Sequence, residues 1–307
     1  MLNRTFFVEE YEENIPLFLI KNKKGTIHSI FNNGMNIRMG ERIIFIGTMK
    51  NGRLPFGIHL QNDIAHELLQ SVHSPSPVIW KERTGELFFE TANVYLNLRS
   101  GIPFSNKMNE HNDHVELCTR NIKEMITTLV ETEEKTGLDV DIEQFILDYL
   151  TEGKIEPHNQ TVQKIYELMN AVFSEDAYEV DTVLRYFLGR GKGLTPSGDD
   201  HLVGILAIHH GFQAFSPTFL STLKKIVEHD SITTDIGKEY LLYALKGEFS
   251  SFILNIINNL QEKDHQLELK KHLQDILAMG HSSGIDTAFG LVIGLLALRK
   301  EQLLSKK

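Results

Sequence analysis

The spacing of apolar residues changes near residue 105, and this change constrains the fold more than any other feature of the sequence. Before it, short β-favouring runs alternate with turn residues. After it, apolar residues recur at the three- and four-residue intervals of helices. The pattern predicts an α+β fold with segregated elements. We expect a β-rich domain over residues 1–104, shaped like a barrel or sandwich, and an all-α domain over residues 105–307.

Turn signals divide the part before residue 105 into short strands. Asn32-Asn33-Gly34 and Lys50-Asn51-Gly52 are typical of tight turns, and the second lies between two apolar runs, which predicts a β-hairpin there. One helix is predicted over residues 62–70. From His114 onward, the periodicity predicts about nine helices and no strand. The predicted strands cover residues 4–9, 16–20, 25–31, 42–49, 54–60, 78–81, 87–91 and 94–98.

Composition limits the functions open to the chain. Its 307 residues suffice for a buried core, and a formal net charge of −10 argues against nucleic acid as the main partner. A single cysteine excludes an internal disulfide and a cysteine-based zinc site. No apolar stretch reaches the length of about 20 residues that a membrane-spanning helix needs, and no secretory signal is evident. We therefore expect a cytoplasmic protein without nucleic-acid or membrane partners.

A glycine-rich loop that leads into a helix, residues 189–200, is the strongest candidate for a functional site. Its three alternating glycines let the backbone take positive φ and approach a ligand closely. Thr195-Pro196 ends the loop, and Ser197 is predicted to be the N-cap of a helix with Asp199 and Asp200 in its first turn. Free N–H groups and the helix dipole at such a start bind phosphate or carboxylate. A well-capped helix without a ligand has the same local pattern, so that alternative stays open.

The pattern Ser-Gly-x-Asp-x-x-x-Gly occurs twice, at residues 197–204 and 283–290. In each copy the last glycine follows the aspartate by one helical turn on the same face, where a missing side chain permits close helix contact. We therefore predict two buried helices that cross near their starts and bring Asp200 and Asp286 toward a common point.

Two carboxylates at such a point favour an oxygen-seeking cation. Carboxylates at helix N-termini are stabilised as anions, so they make poor general acids but suit Mg²⁺, which takes one or two protein carboxylates plus substrate oxygens. Asp200 and Asp286 are the predicted metal ligands, and Arg190, Lys192 and His281 border the same turns and could neutralise an anionic substrate. In the alternative interpretation, the aspartates cap nearby N–H groups and the loop binds an anion directly. No motif indicates an organic cofactor.

A third helix start, residues 231–237, also offers hydroxyl groups and an acid in a first turn, from Thr233, Thr234 and Asp235. We interpret it as an ordinary helix cap. A supporting role at the site is the alternative.

These motifs resemble those of the AllH-like proteins. The resemblance implies a subunit of a multi-component oxamate carbamoyltransferase, which converts oxalurate and phosphate to oxamate and carbamoyl phosphate in purine and allantoin breakdown. Other subunits and a small anion (carbamoyl phosphate, phosphate or oxamate) are the implied partners. The resemblance rests on Gly-x-Gly-x-Gly-Leu-Thr-Pro-Ser-Gly-Asp-Asp at 189–200, Leu-x-Gly at 202–204, Thr233-Thr234, Tyr240-Leu241-x-x-Ala244-x-x-Gly247, Gly-His-Ser-Ser-Gly-x-Asp at 280–286, and a looser His28-Ser29-x-Phe31.

The family motifs fall on residues 191–200 and 280–286, which makes Asp199, Asp200 and Asp286 the candidate catalytic residues. Two classes of function stay open. The chain is either an enzyme subunit for carbamoyl or phosphoryl transfer, or a non-catalytic ligand-binding or assembly subunit with a regulatory site. The candidate substrate-binding residues are Gly191, Lys192, Gly193, Thr195, Ser197, Gly198, His281, Ser282 and Ser283.

Overall fold

A computed structural model describes residues 4–108, 118–151, 160–261 and 266–304. The chain forms two compact units, residues 1–107 and 108–307. The strands that the structure describes all lie in the first unit, and the regular elements described in the second are all helices. The predicted α+β fold with segregated elements is therefore confirmed.

The N-terminal unit is built on one curled sheet of ten strands, with two helices. The strands are β1 (Arg4–Phe7), β2 (Glu10–Glu12), β3 (Lys24–Phe31), β4 (Gly34–Met39), β5 (Arg42–Gly47), β6 (Gly57–His59), β7 (Pro77–Lys81), β8 (Glu86–Phe89), β9 (Val94–Asn97) and β10 (Ile102–Phe104). The helices are α1 (Ile15–Lys21) and α2 (Asn62–Ser71). Across the sheet the order is β1-β9-β8-β7-β3-β4-β5-β6-β2-β10. The core of this unit includes Ile37 and Ile46 from the sheet and Leu19 and Leu68 from the helices.

The segment 16–20, predicted to be a strand, belongs instead to α1. Pro16 lies in the first turn of that helix, where its fixed φ suits the helical backbone and its missing N–H has no helical partner to lose. Ile15 and Leu19, one helical turn apart, are both buried. The spacing of these two residues therefore fits a helix, and the short apolar run alone does not distinguish the two structures.

The predicted hairpin at residues 50–53 is also wrong. Gly52 does take the positive φ of a turn, 74°, and its N–H donates to the carbonyl oxygen of Met49 at 2.9 Å. However, the flanking strands β5 and β6 pair in parallel, with Phe45 opposite Gly57 and Gly47 opposite His59. The turn therefore belongs to the connection between β5 and β6, which returns the chain so that β6 runs in the same direction as β5. The predicted strand 54–60 shortens to β6, and the pattern does not predict the three-residue strands β2 and β10.

The described part of the C-terminal unit contains ten helices, against about nine predicted from the apolar periodicity. None of the described helices is long and apolar enough to cross a membrane. They are α3 (Thr119–Val130), α4 (Ile142–Leu150), α5 (Gln160–Ala171), α6 (Ala177–Phe187), α7 (Ser197–Phe212), α8 (Pro217–His229), α9 (Asp235–Ala244), α10 (Ser251–Gln261), α11 (Gln266–Leu277) and α12 (Ser283–Leu304).

The two motif-bearing helices, α7 and α12, form the centre of this unit. In α7 every residue except His210 and Phe212 is buried, and in α12 residues 284–298 are all buried. A helix that is apolar on all sides needs neighbours on all sides. The other helices supply them, and several buried polar side chains cluster at the starts of α7 and α12.

The buried side chain of His59, in β6, predicts how the stability of the N-terminal unit depends on pH. The Leu54 N–H donates to its Nε2 at 3.1 Å, and burial lowers the pKa of the ring from 6.5 to about 4, although the nearby charge of Glu10 raises it in part. The unfolded chain therefore takes up this proton at a higher pH than the folded chain. We expect acidification from neutral pH to about pH 4 to reduce the free energy of unfolding by about 3 kcal/mol through this group.

The measurement is urea unfolding followed by the fluorescence of Trp80, the only tryptophan of the chain, which is buried in β7 of the same unit. The control is His59→Gln, because a glutamine oxygen can accept the Leu54 N–H but does not titrate. The stability difference between the two proteins should vary with pH across this window. Parallel pH profiles for the two would contradict the assignment.

Candidate functional site

The first turns of α7 and α12 lie side by side because each helix has a glycine at the point where they cross. A Cβ atom added to Gly204 would overlap the carbonyl oxygen of Thr287 and lie 2.7 Å from the nitrogen of Leu291. One added to Gly290 would overlap the carbonyl oxygen of His201 and lie 2.8 Å from its Cα. Backbone therefore packs on backbone, which only glycine permits. The two motifs meet where their glycine spacing predicts.

Asp200 lies at this meeting point, in the first turn of α7. The hydroxyls of Thr195 and Ser283, hydrogen-bonded to each other at 2.8 Å, lie within hydrogen-bonding reach of its carboxyl group. Burial raises the pKa of Asp200 well above its usual range, and the charges of Asp286 and Asp199 raise it further. The two hydroxyl hydrogen bonds act in the opposite direction but do not compensate for burial.

Asp199 points to the other side of the same turn and joins three chain segments. One carboxylate oxygen accepts the N–H of Gly189 at 2.9 Å, and the other accepts the hydroxyl of Thr233. Burial raises the pKa of Asp199 to about 6, although both hydrogen bonds lower it. Since both oxygens are engaged, the contacts of Asp199 hold the loop against α9.

Burial thus shifts the pKa values of Asp199 and Asp200 in the direction opposite to the one that their helix position predicts. The sequence places them in the first turn of a helix, where the dipole stabilises the ionised form. In the structure Asp199 is 1% exposed and Asp200 6% exposed, and the loss of hydration outweighs the local donors. The sequence-based expectation that both are readily ionised is therefore wrong in direction for the metal-free protein.

Asp286 enters the site from the first turn of α12 and is fully buried. Its Oδ1 accepts the N–H of Gly137 at 2.8 Å and lies 3.8 Å from Nδ1 of His201. His201 donates from Nδ1 to the carbonyl oxygen of Ser197, and because a carbonyl only accepts, Nδ1 carries the ring proton. Burial lowers the pKa of His201, although the charge of Asp286 raises it. The histidine is therefore a neutral neighbour of the carboxylates.

Three buried polar atoms at this point have no hydrogen-bond partner among the described residues. They are Oδ2 of Asp200, Oδ2 of Asp286 and Nε2 of His201. Buried polar atoms are nearly always paired in folded proteins. Three such atoms in neighbouring residues mark this as a place where the protein alone does not satisfy its polar groups.

The loop above these carboxylates is exposed from Arg190 to Leu194. The backbone N–H groups of residues 191–193 make no hydrogen bond within the described residues. Lys192 and His281 are exposed on the two turns that meet here. The guanidinium of Arg190, by contrast, lies 3.9 Å from the ring centre of Tyr186 and is held there by a hydrogen bond to the Tyr186 carbonyl. The exposed loop therefore offers free N–H donors and the positive charge of Lys192 to solvent.

The start of α7 differs from the sequence-based expectation in two respects. Pro196, rather than Ser197, is the N-cap residue, and no side chain caps the helix. The N–H groups of the first turn are used within the protein, since Gly198 donates to the Arg190 carbonyl at 2.8 Å and Asp199 and Asp200 donate to the Pro196 carbonyl. An anion held here would therefore contact the loop rather than the N–H groups of these three helical residues.

The third helix start, before α9, is a helix cap and also contacts the glycine loop. Thr234 is the N-cap of α9, accepting the Gly237 N–H at 2.9 Å, and its hydroxyl donates to the carbonyl of Leu194. Thr233 donates to Asp199. This turn therefore caps its own helix and also fixes the glycine loop.

Sequence reasoning did not assign to the site three residues that contact the aspartates or lie close to them. His201 follows Asp200 directly, and its place in a buried helix between the motif residues was an available signal. Tyr240 lies on α9, where burial and the charge of Asp200 raise the pKa of its hydroxyl. Gly137 comes from the connection between α3 and α4, and no local motif distinguishes it from the other glycines.

The donor set limits the metals that this point could hold. The described residues contain no group of three or more histidine, cysteine, aspartate or glutamate side chains placed to bind a metal ion. A cation here would have to be bound by two carboxylates together with hydroxyl oxygens and water, which suits Mg²⁺ better than zinc.

Two cavities lie in the N-terminal unit. One, of about 710 Å³, is lined by Glu9, Lys50 and Asn62 among others, and one of about 470 Å³ is lined by Lys23 and Trp80 among others. Neither includes a residue that the sequence predicts to be functional.

Fold and site together define a class of protein. A β-rich unit precedes a helical unit in which two crossed Ser-Gly-x-Asp helix starts lie beneath an exposed glycine loop. The chain belongs to the AllH family. A family model described as oxamate carbamoyltransferase subunit AllH matches residues 187–295, and the AllH family N-terminal domain model matches residues 10–102. The description as a subunit implies further subunits in the same complex. No solved structure matches the chain.

Proposed function

We propose that this chain is a subunit of an oxamate carbamoyltransferase complex and binds its small anionic substrate at residues 189–200. The complex would convert oxalurate and phosphate to oxamate and carbamoyl phosphate, in the cytoplasmic breakdown of purines through allantoin. Membership of the AllH family supports the carbamoyl transfer. The single observation that supports the place of binding is the exposed loop with free N–H groups above three buried aspartates.

The reaction requires an anion to be held while a carbamoyl group moves. In the direction of synthesis, a phosphate oxygen attacks the ureido carbonyl carbon of oxalurate, the bond from that carbon to the oxamate nitrogen breaks, and the nitrogen takes up one proton. Carbamoyl phosphate and oxamate result. Both substrates and both products are anions, so the site must compensate negative charge near the reacting carbon.

The exposed loop supplies that compensation in our proposal. The N–H groups of residues 191–193 point at no other protein group within the described residues, and successive free N–H groups form a concavity that suits phosphate oxygens. Lys192 and His281 would add charge-assisted hydrogen bonds from the two turns. The hydroxyls of Thr195, Ser282 and Ser283 line the same junction.

The second candidate function is a non-catalytic subunit with a regulatory anion site. The contacts of Asp199 favour it in one respect, since both of its carboxylate oxygens are used to hold the loop and α9 together. A ligand on that loop could then change the position of the loop for a partner subunit. Kinetics distinguish the two candidates, because a regulatory site alters the response to ligand rather than the chemical step.

The test is phosphate release from carbamoyl phosphate and oxamate, measured with the purified chain alone and together with its partner subunits. We expect activity from the complex. We expect Lys192→Ala to raise the KM for carbamoyl phosphate about tenfold, because a charge-assisted contact is lost. Lys123→Ala, at an exposed lysine of α3, is the matched control and should leave KM unchanged.

Asp200→Ala in the working complex separates catalysis from regulation. A large fall in kcat with partner assembly intact supports a catalytic site on this chain. Unchanged kcat would remove Asp200 from catalysis and leave the regulatory function. A complex that releases no phosphate under any of these conditions would refute the carbamoyltransferase proposal itself.

A further inference from the structure

The carboxyl groups of Asp200 and Asp286 lie close enough to interact electrostatically. Neither forms an ion pair with a lysine or arginine in the described part of the chain. The Oδ2 atom of each is buried and unpartnered, whereas Oδ1 of Asp286 accepts the N–H of Gly137. Two neighbouring carboxyl groups in a water-poor interior can both be ionised only if something positive lies between or beside them.

The unpartnered oxygen of Asp286 points into a small polar space in front of Gly137. A Cβ atom added to Gly137 would overlap Oγ of Ser197 and lie 2.6 Å from Oγ of Ser282 and 2.9 Å from Oδ2 of Asp286. Three oxygens from two chain segments, the starts of α7 and α12, therefore converge where the glycine has no side chain. The N–H of the same glycine fixes the other oxygen of Asp286, so Gly137 both orients the carboxylate and leaves the space beside it free.

The backbone of both serines is held by hydrogen bonds. Ser197 is the first residue of α7, and its backbone carbonyl is bound by the buried ring of His201. The carbonyl of Ser282 accepts the N–H of Asp286 at 2.8 Å, which fixes the turn that carries the second hydroxyl. The backbone that carries these hydroxyls is therefore arranged before any ligand arrives, which lowers the entropy lost on binding.

We propose that Asp200, Asp286, Ser197 and Ser282 bind one divalent, oxygen-seeking cation of the Mg²⁺ class. The ligands are hard oxygens, two of them anionic, and Mg²⁺ combines one or two protein carboxylates with water or substrate oxygens. The sequence motifs predict the two aspartates, and the structure adds the two serine hydroxyls and Gly137. The remaining coordination positions face the half-exposed Ser282 turn, on the side of the glycine loop.

This site does not depend on carbamoyl transfer, so binding is measured on the purified full-length chain without partners or carbamoyl substrates. The probes are Mg²⁺ in isothermal titration calorimetry and Mn²⁺ in electron paramagnetic resonance, after removal of metal by a chelator. We expect one bound ion per chain. Asp286→Asn should weaken binding at least tenfold, roughly the least that loss of even an outer-shell group costs.

Two further variants keep the test decisive if Asp286→Asn misfolds. Gly137→Ala retains all four ligands but fills the space between them, and Ser282→Ala removes one half-exposed hydroxyl. Both should weaken Mg²⁺ binding. Asp176→Asn is the matched control, because Asp176 is also an aspartate at a helix start, capping α6 by accepting N–H bonds that asparagine can accept equally. It should bind the ion like the natural chain.

Absence of binding at millimolar Mg²⁺ or Mn²⁺ would overturn the proposal, and a proton shared by the two carboxyl groups would then be the way in which their repulsion is relieved. Equal binding by Asp286→Asn and the natural chain would overturn it as well. An active complex whose isolated subunit binds no ion would reject the cation site alone, and an inactive complex with a cation-binding subunit would reject only the proposed reaction.

Discussion

A Gly204→Ala variant is expected to reduce the free energy of unfolding of the helical unit by about 3 kcal/mol. The added methyl group would overlap the carbonyl oxygen of Thr287 in the backbone of α12. A buried helix backbone cannot move aside as the end of a flexible side chain can. The direction of the change in the free energy of unfolding is informative, because alanine normally stabilises a helix position by about 1 kcal/mol relative to glycine. Urea unfolding followed by far-ultraviolet circular dichroism measures the change.

Two glycines of the same unit provide graded controls. A Cβ atom at Gly280 would meet nothing within 4 Å, so Gly280→Ala should stay within about 0.5 kcal/mol of the natural chain. At Gly294, on α12, the nearest atoms are side-chain carbons of Ile208 at 3.0 Å, which can shift. Gly294→Ala should therefore cost less than Gly204→Ala. A Gly204→Ala protein as stable as the Gly280→Ala protein would show that α7 and α12 do not cross at this point.

The crossing could be predicted from sequence because it depends on local spacing. A glycine one turn after an aspartate, repeated at residues 197–204 and 283–290, identifies two helix faces that can approach closely. The division into a β-rich and a helical part follows in the same way from apolar periodicity. Both inferences need only residues that are neighbours along the chain.

The features that sequence did not predict depend on contacts between distant segments. Gly137 lies 149 positions from Asp286, whose carboxylate accepts its N–H, and nothing near Gly137 in the chain indicates that contact. The direction of β6 is a similar case. The turn at Gly52 is local, but the parallel pairing of β6 with β5 depends on contacts across the whole sheet. The raised pKa of Asp199 follows from burial, which the helix start alone does not reveal.

The unpartnered Oδ2 of Asp286 predicts that this residue lowers the stability of the fold when no metal is bound. Asp286→Asn should raise the free energy of unfolding by about 1 to 2 kcal/mol when a chelator is present. The asparagine oxygen can still accept the Gly137 N–H, and the new amide group can donate to the hydroxyl oxygens of Ser197 and Ser282 that converge there. The substitution also removes the repulsion with Asp200.

The same substitution, Asp286→Asn, should lower catalytic activity although it raises stability. In the assembled complex we expect Asp286→Asn to reduce the rate of carbamoyl transfer about a hundredfold or more, as loss of one well-placed electrostatic group commonly does. Added Mg²⁺ should stabilise the natural chain but not the variant, because only the natural chain keeps the full ligand set. Asp176→Asn, which retains its helix cap, should change neither property. If Asp286→Asn is instead less stable than the natural chain without metal, the protein itself satisfies this carboxylate. Asp286 is then a structural residue, because a buried charge that the fold already compensates has no need of a cation.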